Sequence, residues 1–258
     1  MRLMKRILSA AAVLALSASL LVGCSSGTAS SVPVSASSAA ESTVSSVEET
    51  ASSAVDENEA AAAQLLNDLT GSYQELWPVI LADEYKQTWL DDCTALVGEE
   101  NAEAAFEKLS SMVTGDVYGE DAVEAYANGG GAYFCGFTND LATLTFDGET
   151  STISGTDKDG NVLFSHTYHY VGMEPVHGLY EFESDDADSG EFTYFFLAPD
   201  TSAETYHIEF RYGSDAEALS QYDAGEYAYW VASGISTDCD QTMIDNCIEL
   251  FCTENLAG

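Results

Sequence analysis

The sequence predicts seven short strands between residues 132 and 212, separated from one another by turn sequences. Apolar and polar residues alternate in them most clearly in Thr205–Tyr212, which is the pattern of a half-buried strand. Asp147-Gly148 is a tight-turn signal, and Asp157–Asn161 is interpreted as a second hairpin turn. The series predicts an antiparallel sandwich or closed barrel. The expected strands are Ala132–Thr138, Leu141–Phe146, Ser151–Ser154, Val162–Tyr170, His177–Glu183, Glu191–Leu197 and Thr205–Tyr212.

Helical patterns flank the strand region on both sides. Ser72 is expected to cap the second helix, in which Pro78 is tolerated only in the first turn or at a kink. The fold class is therefore predicted to be mainly β with flanking helices, that is, α+β. The expected helices are Glu57–Leu69, one through Trp77–Leu81, Asp83–Leu96, Asn101–Val113, Glu120–Ala127, Asp215–Gln221 and Asp238–Cys252.

The first 23 residues have the features of an export signal. Arg2, Lys5 and Arg6 form a basic start, and an almost wholly apolar run, Ile7–Val22, leads to Gly23-Cys24. This run is short for a transmembrane helix, and a small residue before Cys lies where cleavage would fall. We expect residues 1–23 to be a lipoprotein signal peptide and Cys24 to carry a lipid, which predicts an extracytoplasmic protein anchored to the cell membrane.

Residues 24–56 are expected to be a disordered tether, because Ser, Ala, Val, Thr and Glu dominate them and aromatic residues are absent. The remaining residues, 57–258, have the length of one domain. Within it we expect a helical part over 57–127, the antiparallel strands over 132–212 and a helical C-terminus over 213–258.

The composition excludes several function classes. The chain has 44 acidic residues against 7 Lys and Arg, so nucleic acid is not an expected partner. No nucleophile elbow or phosphate loop occurs, and an enzyme is not predicted. Besides Cys24, an odd number of cysteines leaves at least one free thiol or an intermolecular bond, and at most two disulfides of undetermined pairing. These cysteines are Cys93, Cys135, Cys239, Cys247 and Cys252.

The strongest candidate for a metal site is the pair His207 and Glu209. Residues i and i+2 share one face of a strand, so an imidazole and a carboxylate can reach the same ion, as Zn²⁺ requires. Asp200 or His169 from a neighbouring strand could supply a third ligand. The alternative is a solvated strand face on which Glu209 pairs with Arg211.

Other polar residues give weaker signals. His166 and His169 are three residues apart and face opposite ways on a strand, so they are not a ligand pair without a bulge. His177 is expected in a turn. The acidic loop Ser184–Gly190 is interpreted as a solvated hairpin loop, with weak Ca²⁺ binding as the alternative.

Six stretches resemble, in order and spacing, the ZinT family of exported, lipocalin-like zinc-binding proteins. The resemblance covers Leu66–Leu250. The segment Tyr206–Phe210 with Gly213–Asp215 is similar to the stretch that carries the metal in that family. The other five are Leu66–Tyr73, Leu76–Ile80, Thr167–Gly172, Leu179–Phe182 and Tyr229–Leu250.

The resemblance implies an antiparallel lipocalin-like (calycin) β-barrel over 132–212, preceded by a helical segment. It implies zinc or another divalent cation as the ligand, captured or buffered at the cell surface, with a metal transporter as a possible partner. Where the family has His-x-His, this chain has His207-x-Glu209. A third family histidine falls near Ala198, with Asp200 two residues away. The alternatives are a metal-free module that binds a small organic or carbohydrate ligand at the barrel mouth, and a surface interaction scaffold.

Overall fold

The structure is a computed structural model that describes residues 57–198 and 207–257. Its strands are β1 (Gly71–Glu75), β2 (Thr143–Asp147), β3 (Thr152–Thr156), β4 (Val162–Met173), β5 (Tyr180–Ser184), β6 (Tyr194–Leu197), β7 (His207–Gly213) and β8 (Ala232–Ser236). Its α-helices are α1 (residues 57–68), α2 (Leu76–Ile80), α3 (Lys86–Val97), α4 (Ala102–Val113), α5 (Glu120–Ala127), α6 (Ala216–Leu219) and α7 (Gln241–Leu256). Short 3-10 turns lie at Asp83–Tyr85, Glu99–Asn101 and Gly190–Phe192.

The eight strands form one closed antiparallel barrel in sequence order. Each strand pairs with the next, and β1 closes the ring by pairing with β8, with Tyr73 opposite Ser236. Closure leaves no unpaired sheet edge. The expected fold class, a mainly β antiparallel barrel with flanking helices, is confirmed.

Large side chains fill the barrel interior. On β7 the inward face carries Ile208, Phe210 and Tyr212, all nearly or fully buried. The Tyr212 ring packs against Phe195 of β6, with ring centroids 5.4 Å apart, and its hydroxyl donates to the Thr138 carbonyl at 2.9 Å. The interior is thus a packed core in which aromatic rings interlock.

A second core lies between the outside of the barrel and the helices. Phe251 of α7 packs against both Trp77 of α2 and Trp89 of α3, with ring centroids 4.8 Å and 6.0 Å away. The indole N–H of Trp89 donates to the Ile80 carbonyl at 2.7 Å, which satisfies a buried polar group. Ile235 of β8 belongs to this core, so the helical layer covers the outer face of the barrel at β8.

The barrel extends beyond the range predicted for it. The residues that form β1 and β8 were predicted to belong to the helical regions 57–127 and 213–258, so neither strand was predicted. Residues 132–138 were predicted to be a strand. In the structure, 132–138 makes only isolated bridges through Phe134. Ser72 lies in β1, where its hydroxyl bonds to the Thr145 hydroxyl at 2.8 Å, and does not cap α2. Both misread strands have only five residues, too few for period-two alternation to stand out.

The β2–β3 hairpin contacts α1 at Gly148. A Cβ on this glycine would lie 2.4 Å from Asn67 Cα and 2.6 Å from the Leu66 carbonyl oxygen. Only a residue without a side chain allows this approach, so the turn glycine also sets the docking of α1 on the barrel.

None of the helices in the described part of the chain is long and apolar enough to span a membrane.

Candidate metal centre

Strand β7 presents His207 and Glu209 on the outer face of the barrel. The register places His207 opposite Ile235 and Glu209 opposite Ser233 of β8. Ile208 and Phe210 point into the barrel core, so the side chains between them point outward. The predicted alternation of this stretch is confirmed, and the imidazole and the carboxylate share a face.

Helices partly cover this face, so it is not the fully solvated surface of the alternative interpretation, and His207 and Glu209 are each half-buried. His207 and Glu209 line a cavity of about 10 Å³ together with Leu76, Trp77 and Ile80 of α2 and Cys247, Leu250 and Phe251 of α7. A cavity of this size holds roughly one water molecule. Residues of α2 and α7 form its roof, and the polar residues that line it include His207, Glu209 and Cys247.

Burial sets the charge state of His207. Burial of the imidazole lowers its pKa to about 4, although the residue as a whole keeps some solvent exposure. The ring is therefore neutral at pH 7, which is the form that offers a lone pair to a metal ion. Burial raises the pKa of the Cys247 thiol to about 12, so this group is protonated at neutral pH.

The described residues provide only part of a ligand set. Within residues 57–198 and 207–257, no three His, Cys, Asp or Glu side chains are grouped so that they could hold a metal ion. Imidazole and carboxylate fit Zn²⁺ in kind, but a zinc site needs at least three protein ligands. Asp200, the candidate third ligand, lies outside the described residues. The N–H of Ala198, two residues before it, donates to the Glu209 carbonyl at 3.0 Å.

His169 does not reach this cavity. Its ring is exposed on the outer face of β4 and bonds to Asp185 through Nδ1 at 2.7 Å. The registers align His169 with Glu183, Tyr194 and finally Gly213 of β7. Gly213 is six residues from His207, which is about 20 Å along a strand. The structure therefore separates His169 from His207 and Glu209.

The acidic loop after β5 binds two histidines and is not simply solvated. Asp185 contacts His169, and Asp186 contacts Nδ1 of His166 at 2.7 Å. As expected from their spacing, the two histidines do not form a ligand pair. His177 lies in the predicted turn, where its N–H donates to Glu174 at 2.5 Å.

Arg211 has a role that the alternation alone does not show. It is fully buried and donates to the carbonyls of Leu219, Gln221 and Tyr227, in place of the expected pair with Glu209. Its guanidinium also lies over the Tyr222 ring, 4.1 Å from the centroid. Arg211 thus holds the segment between β7 and β8 against the barrel.

A wider cavity lies on the outside of the barrel between β1 and the segment around residue 134. Its volume is about 350 Å³, and its lining includes Glu75, Trp77, Leu81 and Phe134. This volume is at the lower end of the range of small-ligand sites. A small organic ligand, the alternative to a metal ion, therefore has space beside the barrel. The barrel mouth, where this ligand was expected, leads into the packed interior.

Cys247 was not predicted as part of the metal site. The sequence places it on the buried stripe of the last helix, together with Ile244, Ile248 and Phe251, and the structure confirms its burial. Nothing in the sequence of the helix indicates that this stripe faces β7. That Cys247 lies beside His207 follows only from the packing of α7 on the barrel.

Comparisons with known proteins give matches among solved structures. No family model and no curated protein matches the chain. The crystal structure of the Zn(II)-bound ZinT-like domain of Streptococcus pneumoniae AdcA matches with 16% identity over 70% of this chain and 87% of that domain, at a TM-score of 0.44. The crystal structure of Zn(II)-bound AdcA from the same organism matches with 15% identity over 70% of this chain and 33% of that protein, at a TM-score of 0.40.

Proposed function

We propose that the protein is exported, anchored by a lipid on Cys24, and binds a divalent metal ion at the outer face of β7. Zinc is the proposed ion. The protein would capture or buffer it at the cell surface and pass it to a metal transporter. No catalytic role is proposed.

The observation that carries this proposal is the ion-sized cavity beneath α2 and α7. An imidazole that is neutral at pH 7 and a carboxylate line the same cavity of about 10 Å³. Such a cavity is too small for an organic ligand, and its donors are of the kind that bind Zn²⁺ at about 2.0–2.2 Å.

The proposed ligands are His207, Glu209 and Asp200. Asp200 is retained because it is two residues from Ala198, whose N–H is bonded to the Glu209 backbone. Three protein ligands leave a fourth position for water, which permits exchange of the ion with a partner. His169 is left out because the strand registers align it, three strands away, with Gly213, which is about 20 Å along β7 from His207.

The location rests on the N-terminal sequence. Gly23-Cys24 after the apolar run supports lipid attachment, and residues 24–56 would hold the domain away from the membrane. The excess of acidic residues would raise the local concentration of cations without selecting one of them.

Isothermal titration of Zn²⁺ into the metal-free mature protein tests the proposal, in 0.1 M NaCl to suppress unspecific cation binding. We expect one saturable site. His207→Ala should weaken binding by roughly 100-fold, since even partners of ligands contribute 10–100-fold. Asp200→Ala should weaken it as well.

The matched control is His169→Ala, which removes an exposed imidazole that lies elsewhere on the barrel and should leave binding unchanged. No saturable binding to the unsubstituted protein would contradict metal binding altogether. Saturable binding that survives His207→Ala would place the ion at another site.

A further inference from the structure

Two cysteines meet between the helices that cover the barrel. Cys93 of α3 and Cys252 of α7 have their Sγ atoms 3.9 Å apart, and both residues are completely buried. The two helices pack directly on each other. At this distance the sulfur atoms are in van der Waals contact.

The geometry leaves little distance to a covalent bond. A disulfide has its sulfurs about 2.05 Å apart, so closing the gap needs less than 2 Å of movement. Rotation of the two side chains and a small shift of one helix can supply it. No disulfide joins any of the five cysteines in the described part of the chain.

The other cysteines occupy different surroundings. The Cys135 sulfur contacts the Tyr133 carbonyl at 3.9 Å, Cys247 lines the cavity beside His207, and Cys239 is only partly buried near the start of α7. The odd count leaves at least one thiol unpaired in any case. The Sγ–Sγ contact of 3.9 Å is the observation that selects Cys93 and Cys252.

We propose that Cys93 and Cys252 form a disulfide that joins α3 to α7 in the exported protein. Both S–H bonds break and one S–S bond forms. Two electrons and two protons pass to a disulfide oxidant, either a protein disulfide or glutathione disulfide, which is reduced to two thiols. The inference uses the exported location proposed above, since disulfides persist outside the cytoplasm, but it does not depend on the metal site.

Burial determines when this bond forms. Thiolate is the reactive species in disulfide exchange, and burial raises the pKa of both thiols in the folded protein. Exchange is therefore slow once α3 and α7 have packed, and the bond forms while they assemble. After that, the same burial protects it from reductants.

The bond would also hold the roof of the proposed metal cavity. Cys252 directly follows Phe251 and lies five residues after Cys247, both of which line that cavity. A covalent link from α7 to α3 keeps these two residues in place over β7. It also closes a long stretch of chain, the case in which a disulfide restricts the unfolded state most.

Peptide mapping tests the proposal on the mature protein purified from an exporting host without reductant. A second sample is refolded from denaturant in a buffer of reduced and oxidised glutathione, which removes any dependence on cellular location. Free thiols are alkylated under denaturing conditions before digestion. We expect one peptide pair joined through Cys93 and Cys252, and a loss of 2 Da from the intact mass.

Two variants separate the pair from the other thiols. Cys135→Ser, a change at another buried cysteine, should keep the cross-linked peptide, and Cys93→Ser should abolish it. A reductant should lower the melting temperature of the unsubstituted protein by about 5 °C or more relative to the same protein without reductant. The melting temperature of Cys93→Ser should not change when reductant is added.

The proposal is overturned if Cys93 and Cys252 are both recovered alkylated in the two samples, or if either is joined to another cysteine. These outcomes are independent of the zinc titration. Zinc binding without the cross-link removes this inference alone, and the cross-link without zinc binding removes the proposed metal function alone.

Discussion

At the scale of single residues, the outer face of β7 shows how one alternating pattern can have several structural roles. His207, Glu209 and Arg211 follow each other at period two, yet helices α2 and α7 cover the first two and the β7–β8 connection covers the third. Arg211 exchanges water for three backbone carbonyls, which accept charge-assisted hydrogen bonds from the two terminal nitrogens of its guanidinium. A charged residue on an outward face is therefore not evidence that the face is exposed.

His207 should make the stability of the metal-free protein sensitive to acid. Its folded pKa of about 4 lies below the ordinary value of about 6.5 expected in the unfolded chain. The unfolded chain therefore takes up the proton first as the pH falls, which favours unfolding. The stability is complete above about pH 6.5 and is lost progressively as the pH falls towards 4, by up to roughly 3 kcal/mol.

Urea denaturation of chelator-treated protein at several pH values between 7 and 4.5 measures this effect. We expect His207→Gln to remove much of the decline over this window, because glutamine does not titrate. If the free energy of unfolding declines equally steeply in both proteins, groups other than His207 account for the difference in protons bound between the folded and unfolded states.

At the scale of secondary-structure elements, the contacts between helices and barrel depend on a few close approaches. The tip of the β2–β3 hairpin meets α1 at Gly148, and the side chain of Asp240 caps the start of α7 by accepting from the Met243 N–H at 3.0 Å. The cap satisfies one of the free N–H groups at the helix start and fixes where α7 begins. The position of α7 in turn determines which residues cover β7.

Gly148→Ala should destabilise the protein through the contact with α1. The added Cβ would lie 2.4 Å from Asn67 Cα, so the hairpin or the helix must move. We expect a loss of about 1–3 kcal/mol in the free energy of unfolding, as for other overpacked sites.

Denaturant unfolding of Gly148→Ala beside Gly172→Ala checks this prediction. Gly172 lies on β4, where an added Cβ has its nearest neighbour 3.9 Å away, and the change there should stay within about 0.5 kcal/mol. Equal effects of the two substitutions would contradict the packing argument.

At the scale of the whole molecule, charge and topology are independent features. The barrel closes through backbone hydrogen bonds between β1 and β8, whereas the surface carries most of the 44 acidic residues of the chain. Attraction between opposite charges is limited. Lys86 pairs with Glu103 at 2.9 Å on the surface, and Arg211 is bound to carbonyls. Repulsion among carboxylates is therefore the main long-range electrostatic contribution to stability.

Salt should stabilise the protein by screening this repulsion. Raising NaCl from 10 mM to 0.5 M shortens the Debye length from about 30 Å to below 10 Å. We expect the melting temperature to rise by a few degrees and KCl to act like NaCl, because screening does not depend on the identity of the ion. A fall in melting temperature would show that attractive ion pairs outweigh the repulsion.

How much could be predicted differs between the fold and the site. Long segments with clear periodicity, such as α4 and β7, were predicted close to their true bounds, because the pattern extends over several turns or pleats. The five-residue strands β1 and β8 were missed, although they close the barrel. Their pairing is a contact between chain segments about 160 residues apart, which no local pattern records.

The class of the fold and the shared face of His207 and Glu209 follow from the amino-acid pattern, because alternation along a strand is a local property of the backbone. Three results follow only from the packing of the folded chain: α2 and α7 cover this face, His169 lies far from it, and the sulfurs of Cys93 and Cys252 meet. These three results depend on which surfaces become neighbours when distant parts of the chain pack. Burial then changed the chemistry of the residues, since the same imidazole that would be half-charged near pH 6.5 in water is neutral beneath two helices.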